Sequence, residues 1–155
     1  MKDIVCCNYS FCQHDNKELK KSEAVQVGNQ YYHKDCRQTQ EDIKEIVDLF
    51  VKYINPNPVF TKLQSVIKTI VFRKKMGSDY LLFGLKYYIQ HQIPLNYPQG
   101  LYYVVQNKDV RQAYDRKKAD EVRKHSKVEI TEPSEDGFQY RPTKTIGFQD
   151  ILESR

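Results

Sequence analysis

No run of apolar residues in this 155-residue chain approaches the roughly eighteen that a membrane-spanning helix needs, so a soluble protein is expected. Nor does Met1-Lys2-Asp3-Ile4-Val5 lead into the apolar stretch of about 7 to 15 residues that marks a secretory signal, which points to a reducing, cytoplasmic compartment. Enzyme signatures are missing too: no Gly-rich phosphate loop, no G-x-S-x-G elbow, no H-E-x-x-H pair and no dinucleotide fingerprint. With them goes any legible catalytic machinery or small-molecule substrate. Tryptophan is absent, and apolar residues make up only 39% of the chain against 29% charged, which is lean for one large core.

Cysteine is scarce as well, but its four copies are not scattered. Cys6, Cys7 and Cys12 share the run CCNYSFC, and Cys36 closes the run YYHKDC three residues after His33. The spacing Cys7-x4-Cys12-x20-His33-x2-Cys36 brings two short-range ligand pairs around one tetrahedral ion. Zinc takes four such soft or borderline ligands at about 2.0 to 2.3 Å, so one structural zinc ion on Cys7, Cys12, His33 and Cys36 is the expected cofactor. Cys6 could replace Cys7 as ligand; otherwise it is expected to be a spare buried thiol, and His14 a solvated loop residue. Two disulfides or unconnected thiols are the competing readings. The missing secretory signal disfavours the first, and a His-x2-Cys placed just after a hairpin signal disfavours the second.

Between the ligand pairs, Ala24-Val25-Gln26-Val27 alternates, Gly28-Asn29 is a turn signal, and Gln30-Tyr31-Tyr32 can return as the partner strand. Helical periodicity starts after His33, placing His33 and Cys36 on the first turn of a helix, on one face. Knuckle, hairpin and helix in this order resemble a treble-clef zinc finger, and YYHKDC resembles the second ligand pair of a LIM-type half-site. The resemblance covers residues 6 to about 54 and departs from the commonest form in having x4 between the first cysteines. HNH nucleases build on the same finger, but they need a histidine base and a second metal-binding histidine in the hairpin and helix. Here only His14 lies nearby. A closed four-ligand sphere also leaves no position for a reactive water, so a protein without enzymatic activity is expected.

The expected architecture is mainly α: a treble-clef-like finger over residues 1–54, a basic helical domain over 55–127, and an acidic, flexible tail over 128–155. Ile43, Ile46, Val47, Phe50, Val51 and Ile54 step by three and four along the finger's helix, which Asn55-Pro56-Asn57-Pro58 stops. Asn57 and Pro58 would open the next helix, with Val59, Phe60, Leu63, Val66, Ile67, Ile70 and Val71 as its stripe and Gly77 as a left-handed stop. Ser78-Asp79 would cap a third helix running to about His91, apolar over much of its circumference and therefore central, with Lys86, Tyr87 and His91 available to a partner. Leu101–Val105 reads equally as strand or helix. Asn107 would cap a long polar helix to about Lys127, docked at its start and projecting at its end.

Charge is uneven along the chain. Residues 1–57 hold eight basic and nine acidic side chains, 58–127 fourteen and five, and 128–155 three and six. The middle segment would attract a polyanion or an acidic protein surface, through Arg73, Lys74, Lys75, Arg116, Lys117, Lys118, Arg123 and Lys124. In the tail, Phe148, Ile151 and Leu152 form a small apolar motif that would order on a partner. Candidate recognition helix 78–91 carries Lys86 as its one basic residue and is otherwise too apolar for a wet groove, so docking on a nucleoprotein or nucleic-acid enzyme is favoured over free DNA binding by a helix-turn-helix-like unit. The Lys-, Asn-, Ile- and Tyr-rich composition with an N-terminal knuckle resembles small accessory proteins of phages of low-GC Gram-positive bacteria. That resemblance implies a regulator or inhibitor of a host machine for transcription, replication or nuclease-based defence.

Overall fold

The computed structural model describes residues 3–128. By its internal contacts the chain divides into two units, Met1–Asp120 and Glu121–Arg155. The first unit opens with two antiparallel hairpins. In one, β1 (Ile4–Cys6) pairs with β2 (Glu18–Lys20), Val5 facing Leu19. In the other, β3 (Val25–Val27) pairs with β4 (Gln30–Tyr32) across the anticipated turn, where Gly28 takes φ +59°, a conformation that costs glycine no steric clash. The first hairpin is not legible in the sequence: each strand is three residues long and only Leu19 among them is buried.

Helix α1 (Lys34–Tyr53) carries the expected stripe, with Ile46 and Phe50 fully buried and Ile43, Val47 and Ile54 packed around them. Helix α2 (Phe60–Lys68) begins later than Asn57-Pro58 would set it. Asn55 Oδ1 accepts from the Asn57 backbone N–H at 3.0 Å, a local turn that occupies Asn57, and Val59 supplies the first carbonyl, to Lys62 and Leu63. Val59 and Phe60 are consequently exposed rather than part of the stripe. From Thr69 to Arg73 the helix loosens into a π turn, closed by Lys74 N–H on the Thr69 carbonyl at 3.0 Å. Because i→i+5 bonding advances each residue less around the axis, Ile70 and Val71 both stay in the core and Phe72 is drawn to its edge.

Gly77 is not the left-handed stop. Lys75 adopts that conformation at φ 51°, ahead of the Met76 N–H that returns to the Ile70 carbonyl at 3.2 Å, while Gly77 has φ −59° and precedes the next helix. Helix α3 (Ser78–Gln90) is central as expected: Tyr80, Leu81, Leu82, Gly84, Leu85 and Tyr88 are buried. Ser78 is its first residue rather than its cap, and its Oγ donates instead to Asp42 Oδ2 of α1 at 2.7 Å. A 3-10 turn, Pro98–Gly100, leads into α4 (Leu101–Gln106), so the ambiguous stretch is helical, burying Leu101, Val104 and Val105. Asn107 caps α5 (Lys108–Val128) as anticipated, accepting from the Asp109 N–H at 2.8 Å, and Val110 is fully buried.

Buried side chains of the first unit form two clusters. One is the helical core; the other is small, comprising Cys7, Tyr9, Leu19, Tyr32 and Cys36, and Phe72 packs against both. Of the second unit, residues 121–128 complete α5, where Val122 is exposed. Among the described residues no helix is long and apolar enough to cross a membrane. The segment after Val128, including Phe148, Ile151 and Leu152, lies outside the described residues.

Candidate metal centre

Three backbone features converge the four ligand residues. Hairpin β1–β2 delivers Cys7, whose N–H donates to the Lys17 carbonyl at 2.7 Å, and Asn8 N–H then reaches Tyr31 O at 2.9 Å, tying this strand end to β4. A tight turn closed by Cys12 N–H on the Tyr9 carbonyl at 3.1 Å brings Cys12 back beneath Cys7. His33 occupies the N-cap of α1 without using its side chain as a cap, and Cys36 sits on the first helical turn. The imidazole is thus free for the site, and the 33/36 pair shares one face.

The ligand atoms of Cys7, Cys12, His33 and Cys36 all lie within 4.8 Å of one another. His33 Nδ1 is 3.5 Å from Cys12 Sγ and 3.8 Å from Cys36 Sγ. Around one tetrahedral ion, bonds of about 2.3 Å to sulfur and about 2.0–2.1 Å to nitrogen place S and N about 3.6 Å apart, so these four groups could hold a metal ion. Cys7 and Cys36 are buried, Cys12 and His33 half-buried, and no disulfide links any pair. Cys6 is exposed and outside the cluster, which corrects the expectation of a buried spare thiol.

Electrostatics separate the thiols. Burial pushes the Cys36 thiol up, reinforced by Cys12 and Cys7 beside it. For Cys7 burial acts in the same upward sense, but donation from the Tyr9 and His33 backbone and from the neighbouring thiols outweighs it and lowers the pKa. A cation bound among them would relieve this crowding by favouring the thiolates.

His14 is exposed in its loop, as expected, but it has partners there. Its ring stacks on His33 at 3.9 Å between centres, and its Nε2–H donates to Asp35 Oδ2 at 2.7 Å. Burial raises the Asp35 pKa, but that bond, the Cys36 backbone N–H and the imidazole's charge outweigh it, holding the carboxyl below its ordinary value. One signal could have exposed this pair. Cys12–His33 and His14–Asp35 are both separated by 21 residues, because the two segments run side by side in a single register. Both residues line a cleft of about 280 Å³ that also meets Phe72 and Lys75.

No family model, no curated protein and no solved structure matches this chain.

The expected binding residues are distributed differently from one another. Lys86 is paired with Glu45 at 2.6 Å, and half-buried Tyr87 stacks on His91, whose Nδ1–H donates to the Tyr87 carbonyl at 2.9 Å, so this group is partnered internally. Arg73, Lys74 and Lys75 end the π turn, all exposed, with the Lys74 ammonium 4.6 Å from the Tyr102 ring centre. On α5, Arg116 is exposed, Lys117 lies over Phe83 and Lys118 over Tyr114, each at 5.4 Å, and Lys118 is also 3.5 Å from Asp79. Arg123 and Lys124 belong to the second unit and are exposed.

Proposed function

We propose that this is a zinc-stapled, non-enzymatic binding protein that docks on a nucleoprotein or nucleic-acid enzyme and regulates or inhibits it. The observation that carries this reading is the cluster of Cys7, Cys12, His33 and Cys36, whose ligand atoms lie within 4.8 Å of one another beside a small core; bound by all four, a tetrahedral ion would keep no position for a reacting water. Three thiols and one imidazole suit zinc, which needs no further ligand and brings no redox chemistry. What a finger of this kind presents is its surface, and here the surface beside it carries exposed Phe11, Arg73 and Lys75 with half-buried Lys68. A composition resembling that of phage accessory proteins supports a host enzyme as the target, in a reducing cytoplasm where thiols persist.

The test is metal analysis of the purified chain together with affinity capture from a nuclease-treated lysate. One zinc per chain and retention of a nucleic-acid enzyme after nuclease treatment are expected. Loss of every protein partner on nuclease treatment would instead favour direct nucleic-acid regulation. The His14–Asp35 pair, facing an open cleft, is the observation that favours a nuclease as second reading. Metal-dependent DNA cleavage abolished by His14→Ala would establish it.

A further inference from the structure

A second groove, about 500 Å³ in volume, lies between the finger's Tyr9–Cys12 turn and the end of α2, and its chemistry differs from that of the cleft beside the metal centre. Phe11, on that turn, is 41% exposed. Its ring stacks on Phe72 with centres 5.1 Å apart and planes 16° from parallel. Tyr9 braces both rings from the finger's core, at 6.0 and 6.3 Å. Lys68 holds its ammonium 4.7 Å from the Phe11 ring centre, Arg73 lines the same wall, and among the described residues no acidic side chain does. Thr61 and Gln64 line the groove, and their side chains have no hydrogen-bond partner among the described residues.

We propose that this groove binds single-stranded nucleic acid, one base stacking on the Phe11–Phe72 pair and its flanking phosphates meeting Lys68 and Arg73. The inference rests on the docking reading above and names the ligand that the basic face would meet there. Each component has a counterpart in such a strand. An exposed ring offers a π-face that any base can cover, the two cations match the backbone, and Thr61 and Gln64 can hydrogen-bond a base edge. A duplex hides its base faces, so an unpaired strand is required. An acidic peptide would satisfy the cations but leave the exposed ring uncovered. Lys68 is the moving part: a phosphate is a stronger partner for its ammonium than a ring face, so the side chain swings outward and frees Phe11 for the base. The π turn makes the arrangement possible, because it draws Phe72 to the helix edge where the finger's turn can reach it.

The experiment uses the zinc-loaded full chain and a short single-stranded DNA carrying 2-aminopurine, whose fluorescence falls on stacking. Binding with quenching is expected, and the matching duplex should bind more weakly. Two neutralised phosphates predict a slope of log K against log salt of about −1.4, and Lys68→Gln or Arg73→Gln should each reduce it by about 0.7. Phe11→Leu should remove the quench and weaken binding about tenfold while metal content is kept. If Phe11→Leu loses its metal, the two charge variants decide. Equal affinity for strand and duplex without quenching would overturn the proposal, as would displacement by polyglutamate with Phe11→Leu unaffected. Lost strand binding with retained enzyme capture would overturn this inference alone; strand binding without enzyme capture would overturn the docking reading alone.

Discussion

Asp42 is a carboxylate set into an otherwise apolar stripe of α1, 4% exposed, and it is held by Ser78 Oγ–H at 2.7 Å and Gln38 Nε2–H at 2.9 Å. Removing one donor leaves a buried anion short of a bond, so Ser78→Ala should destabilise the fold by about 1–3 kcal/mol in a denaturant titration. An unchanged midpoint would mean that water replaces the hydroxyl. Gly84 makes the opposite kind of demand. A methyl there would stand 2.6 Å from Val104 Cγ1, a buried, branched side chain with little room to yield. Gly84→Ala should therefore cost about 1–3 kcal/mol of overpacking, against the helix propensity of about 1 kcal/mol that alanine would otherwise add. A raised melting temperature would refute this. Neither residue is legible in the sequence, where Asp42 looks like any solvated helical acid and Gly84 like a tolerated flaw, because the reason for each sits on a different element.

Among elements, α1 and α3 could be read from the chain because a long apolar stripe survives small errors in its ends, and hairpin β3–β4 because Gly28-Asn29 fixes its turn. What escaped were features set by single hydrogen bonds: the Asn55–Asn57 turn that delays α2, the π turn, and the left-handed Lys75 that displaces Gly77 from its expected role. The clustering of Cys7, Cys12, His33 and Cys36 was legible for a different reason, since the chemistry of holding a metal restricts both residue type and spacing. At this scale the link between α3 and α5 is testable by pH. Tyr114 O–H donates to Asp79, with Lys118 beside it. Burial raises the Asp79 pKa, but that bond, the Tyr80 backbone N–H and the Lys118 charge together leave it below its ordinary value. A depressed carboxylate contributes stability that is complete above its unfolded pKa and lost as pH falls through the folded one. Stability should thus decline below about pH 4, by no more than about 1 kcal/mol from this partly exposed group, and Asp79→Asn should remove that part of the decline. A variant whose acid limb overlays the parent's would show that Asp79 does not contribute.

For the molecule as a whole, the small cluster of Cys7, Tyr9, Leu19, Tyr32 and Cys36 offers little apolar area, so under the zinc reading proposed above the folding of this finger-like N-terminal segment should depend on the ion. Structural zinc couples to folding with an apparent free energy on the order of 10 kcal/mol. Chelation, or Cys36→Ser, should therefore collapse the finger's amide NMR signals while the helical core keeps most of its far-UV circular dichroism; Cys6→Ser should leave both intact. Equal damage from the two substitutions would argue against the assignment. The shared 21-residue register of Cys12–His33 and His14–Asp35 carries a consequence for descent. A lengthened hairpin would shift both separations together and leave the geometry untouched, whereas an insertion between Cys12 and His14 would break one pair only. Kinship with this chain would then be written in the equality of two gaps rather than in the size of either.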